Sequence, residues 1–188
     1  IDDDDAARLI KEHFPRLQAE ELKYSSLTRR SSNHPRILGL QRDVLAGYKC
    51  VSYVCDKRYL LLLMLLDYGA EPFYFERGLN FYEDGQNYSL ASLLYYVGPT
   101  LLGRNAFEGL LAAFQRAMKE KTSDSLRDLV NATRMTNWQE LPEALGPLAR
   151  YADPDCLNAI ATPGVTTDAA FVVLQSLISR MEELVSGP

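Results

Sequence analysis

Cys50-Val51-Ser52-Tyr53-Val54-Cys55-Asp56-Lys57 is the stretch on which the reading of this chain turns. Its first six residues are almost all apolar and rich in Val and Tyr, which fits a strand buried on both faces at the centre of a sheet. Asp56 follows directly, where a carboxylate would leave the sheet interior yet stay on a rigid element, and Lys57 and Arg58 come next. A turn residue, or a cap for the helix that follows, is the plainer reading of Asp56.

Upstream, Glu21-Leu22-Lys23-Tyr24-Ser25-Ser26-Leu27 reads as a second short strand or extended loop. Alternation along a strand puts Glu21 and Lys23 on one face. Acid-x-lysine is the form in which a carboxylate holds a divalent cation while an ammonium steadies a phosphate or an attacking water. A cross-strand ion pair would use the same two residues.

Helical spacing dominates elsewhere. Asp2–Asp5 precede Ala6, Leu9, Ile10, His13, Phe14 and Leu17, so the acid run is a helix start that complements the dipole, and Pro15 ends it. Pro35 suits a first helical turn, with Ile37, Leu40, Val44 and Tyr48 as the apolar stripe to about Gly47. Tyr59–Tyr68 reads as a buried helix stopped by Gly69. Ser89–Leu102 is a helix bent near Pro99, Phe107–Met118 is amphipathic, Ser123 caps another helix, and 138–151 is broken by prolines. A last helix starts near Thr166 or Thr167, with Ala170, Leu174, Leu177, Met181 and Leu184 on one face. Asp168 lies in its first turn, as a dipole-stabilising acid or a third metal ligand.

Composition bounds the function. The chain has 188 residues, is 47% hydrophobic and 24% charged, and carries a formal net charge of −5, which fits one domain with a real core. Such a chain has no global basic footprint, so nucleic acid would need a local patch or bound cations. Arg29, Arg30 and Arg36, among Ser31, Ser32 and Asn33, make such a patch, as phosphate contacts or as a solvated loop. Phe73 to Tyr88 is aromatic and interrupted by Gly78 and Gly85. It fits core packing or a protein partner better than a base-stacking platform. Three cysteines without a framework imply a reducing, cytoplasmic setting, and no Cys/His quartet exists for zinc. The apolar run Tyr59–Leu66, broken by Asp67, is far short of the roughly 20 residues that span a bilayer, so no membrane association is expected. Neither a P-loop nor a dinucleotide fingerprint is present, and His13 and His34 have no nucleophile nearby in sequence.

Glu21-Leu22-Lys23, then Val54-Cys55-Asp56-Lys57, then Asp168, taken in order, resemble domain-of-unknown-function family 3800. That resemblance implies an α/β, RNase H-like fold and a metal-dependent nuclease of prokaryotic defence or mobile elements. Glu21, Asp56 and Asp168 would hold Mg²⁺ or Mn²⁺, and Lys23 and Lys57 would serve catalysis beside them. Arg29, Arg30, Arg36 and Arg58 would contact nucleic acid. The family's opening Asp-Glu-Ser-Gly strand is absent, so the expectation is a single domain whose first strand precedes Ile1, with a helical elaboration over about 69–151. The rival reading is a non-catalytic helical adaptor or regulatory subunit of a defence complex. In it the acid–lysine pairs are structural and the aromatic segment 73–88 binds a protein.

Overall fold

A computed structural model describes residues 2–18, 22–164 and 169–186, with side chains of the last segment from Val172 onward. Every regular element among them is helical. The expected RNase H-like sheet is therefore overturned: the fold is all-α. Residues 51–56 form no regular element and join no ladder, and Val54 is 94% exposed. An apolar run becomes a buried strand only when neighbours pair its N–H and C=O groups. Here water can reach them, and the segment needs no adjoining strands. The second expected strand is also absent, because Tyr24–Leu27 forms one turn of helix.

The chain divides into two units, one made of Ile1–Ser52 with Leu177–Pro188 and the other of Tyr53–Ser176. The N-terminal unit holds α1 (Asp3–His13), the short α2 (Tyr24–Leu27) and α3 (His34–Gly47). Asp2 caps α1 by accepting the Asp5 N–H at 2.8 Å, and acids fill the first turn. Phe14 leaves helical geometry ahead of Pro15, whose ring disfavours α geometry in the preceding residue. α1 packs on α3 with Leu9, Phe14 and Ile37 buried. The His13 ring sits so close to Gly39 that a β-carbon there would come within 2.8 Å of it, and Nε2 meets the Asp43 carboxylate at 2.7 Å.

The second unit is built around α4 (Lys57–Gly69). Leu60, Leu62, Met64, Leu65 and Leu66 are all buried, covering more than one face, as expected for a helix surrounded by others. Around α4 stand the short α5 (Glu71–Phe75), α6 (Gln86–Leu101), α7 (Arg104–Glu120), α8 (Ser123–Met135), the short α9 (Pro142–Gly146) and α10 (Pro154–Ala161). α6 lies along α4, α7 pairs with α8, and α10 returns to α4. Phe107 and Phe114 of α7 are fully buried, and Gly98 admits Phe107: a β-carbon at Gly98 would meet its ring at 2.9 Å.

Thr122, one residue before the expected Ser123, caps α8 through a capping box with Ser125. The bond in both directions fixes the turn between α7 and α8, and Arg116 on α7 adds a 2.8 Å link to Asp128 on α8. Trp138 opens a 3₁₀ turn after α8 and packs against the core. The proline-broken region 138–151 resolves into that turn, α9 and a π-helical turn over Pro147–Tyr151. α11 (Ala169–Ser186) closes the chain.

Candidate binding groove

The expected catalytic residues do not assemble into a described site. Glu21 and Asp168 lie outside the described residues. Lys23, Arg29, Arg30 and Arg36 belong to the N-terminal unit and are exposed. Asp56, Lys57 and Arg58 belong to the second unit, at the start of α4. Among the described residues, no three His, Cys, Asp or Glu side chains are grouped to hold a metal ion.

Asp56 is the N-cap of α4, not the end of a strand. Its carboxylate accepts the Tyr59 N–H at 2.9 Å and the Tyr95 hydroxyl at 3.0 Å. The Tyr59 N–H above all, then the Tyr95 hydroxyl, holds its pKa below the usual carboxylate value. Arg58 donates two bonds to Glu108, at 2.7 and 3.1 Å, and lies over the Phe107 ring. That guanidinium is thereby fastened between α4 and α7. Sequence reading had both possibilities for Asp56, and the capping one holds.

A different cluster forms where α4 ends. Asp67 closes the apolar run of α4, and Glu71 follows in the first turn of α5. Burial pushes the Asp67 pKa up to about 6, against the pull of the nearby Tyr82 phenol, and the Glu71 charge adds to the rise. One Asp67 oxygen is enclosed with no hydrogen-bond partner. Glu71 is itself shifted up by desolvation. Burial first, then the Asp67 and Glu71 charges, drives the Tyr82 phenol upward as well.

Tyr82 and Glu71 also line a groove of about 420 Å³ with Phe75, Leu79, Asn80 and Phe81. The backbone that shapes it is a tight reversal. Gly78 adopts φ +69°, and Asp84 and Gly85 take φ values of 52° and 70° in succession before α6 begins. Phe81 is buried and stacks on Tyr74 at 5.3 Å, and the Tyr74 hydroxyl donates to the Glu143 carbonyl. The floor of the groove is thus anchored to the core. Phe75, Leu79 and Tyr82 remain 69%, 56% and 48% exposed at its edges.

The aromatic segment had been singled out from the sequence, but Asp67 and Glu71 had not. Their signal was available: an acid interrupting a run of leucines falls on a helix with no solvent face, and another acid follows four residues later.

Comparison of the chain with protein-family models, with curated proteins and with solved structures finds no match.

Proposed function

We propose that this chain is a non-catalytic helical adaptor that binds a protein partner through the reversal between α5 and α6. The observation that carries the reading is the convergence of Phe75, Leu79 and Tyr82, all largely exposed, on one concave surface anchored to the core. Aromatic and aliphatic side chains around a groove supply the anchor pockets on which protein interfaces concentrate their binding energy. Cleavage of nucleic acid would call for Glu21, Asp56 and Asp168 around a metal. Asp56 is already occupied as a helix cap, and no described feature favours that reading.

The test compares quantitative affinity capture by the wild-type chain with capture by a Phe75→Asp, Leu79→Asp variant of unchanged helical circular dichroism. Proteins retained by the wild type and lost by the variant are expected. The same proteins retained by both would sink the reading. So would Mn²⁺-dependent cleavage of DNA or RNA that Asp56→Asn abolishes while leaving helix content intact.

A further inference from the structure

The chemistry of the groove specifies what it takes. Between Tyr59 and Gly103 the chain carries five acids, Asp67, Glu71, Glu76, Glu83 and Asp84, against one base, Arg77. The balance is −4 in this span, nearly the −5 of the whole chain. Arg77 does not neutralise the groove. Its guanidinium lies 3.5 Å over the Phe73 ring, donates to the Phe73 carbonyl at 2.7 Å and meets Asp153 at 3.4 Å. The groove lining contains no cation.

Its polar side chains are Glu71, Asn80 and Tyr82, and its one ionisable acid is Glu71. Glu71 presents a carboxylate, and the Tyr82 phenol oxygen can accept from an incoming donor. Behind Tyr82, Asp67 adds negative charge that is only weakly screened because it is partly buried. Beside these acceptors stand the apolar surfaces of Phe75 and Leu79.

We propose that the groove between Glu71 and Tyr82 binds a basic–apolar segment of a partner protein, with an aliphatic or aromatic side chain against Phe75 and Leu79 and a lysine or arginine donating to Glu71 and Tyr82. The inference rests on the adaptor reading and adds the chemistry of the partner. Apolar burial supplies the affinity, and the acids select sign and steer encounter. Acidic segments are rejected, because their carboxylates would face Glu71 with no cation between them.

The experiment uses the full chain and fluorescein-labelled twelve-residue peptides read by anisotropy. One set has a central Leu-Phe pair flanked by lysine and arginine. A second replaces the bases with glutamate, and a third replaces Leu-Phe with serines. The first set is expected to bind at least tenfold more tightly than the other two, and to weaken as salt rises. Leu79→Ser should lose at least tenfold, Glu71→Gln about fivefold, and the distant Asp124→Asn nothing.

Equal binding of the first two sets, or full binding by Glu71→Gln, overturns the partner chemistry while leaving an apolar adaptor groove standing. Full binding by Leu79→Ser places the peptide elsewhere and overturns the proposal. Absence of binding in all sets overturns it too, as does groove-dependent self-association of the chain in sedimentation, which would make a second copy the occupant. The partner-capture comparison above reads the adaptor role independently of these peptides.

Discussion

The two units of this chain hold their helices by different means. Among the described residues of the N-terminal unit the buried apolar side chains are Leu9, Phe14 and Ile37, and polar links such as His13–Asp43 and Tyr48–Asp5 supplement them. Leu38 and Leu45, on the same helix as Ile37, are 61% and 70% exposed. The second unit buries leucine and phenylalanine from α4, α6, α7, α8 and α9 in one continuous cluster. That same unit carries, at the edge of its core, a half-buried carboxyl with an unpartnered oxygen, a cost set against its large apolar gain. The contrast teaches that binding chemistry in this protein can be placed where the scaffold is strongest.

The sharpest way to break the comparison is a cavity in each core. Phe114→Ala should destabilise the second unit by about 3–5 kcal/mol in urea denaturation, since the ring is fully buried. Leu9→Ala should cost about 2 kcal/mol, the low end for leucine, because a thin core collapses onto the gap more easily. Amide exchange should show α1 and α3 opening at lower free energy than α4 and α7. Equal protection in both units would erase the distinction.

Next in size is the effect of pH. The folded pKa of Asp67 is raised to about 6, above the unfolded carboxyl value. Its favourable contribution is therefore present below about pH 4 and is lost as pH rises through 6. The stability difference across that window should be roughly 2–3 kcal/mol. Asp67→Asn should flatten the dependence and make the protein more stable than wild type at pH 7. A variant whose stability still falls between pH 4 and 6 as in the wild type would assign the effect elsewhere.

Smaller again is the cap of α8. Thr122→Ala removes one side of the capping box and should cost about 1 kcal/mol by thermal denaturation. Smallest is the exposed Arg127–Asp124 pair, 3.0 Å apart on the first turns of α8. Arg127→Ala should change stability by less than about 0.5 kcal/mol.

The helices were legible because their signals are local. Pro35 with the Ile37 stripe marked α3, the leucine run ending at Gly69 marked α4, and the Phe107–Met118 spacing marked α7. The error at Cys50–Cys55 has the opposite origin. A strand is a relation between distant segments, and an apolar run carries no record of whether partners exist. Reading a sheet there turned Asp56 into a ligand, whereas Tyr59 and Tyr95 hold it as a cap. The groove was half legible. Aromatic residues marked the segment, but the acids acquire their character from burial, which depends on how α4, α5 and the following turn meet.

Trp138, the single tryptophan, packs on the core of the second unit. Its emission is a built-in reporter of that unit's melting. A fluorescence titration would therefore trace one cooperative event while the N-terminal helices had already come apart unseen, and only a far-ultraviolet or exchange signal recorded in parallel would reveal the order.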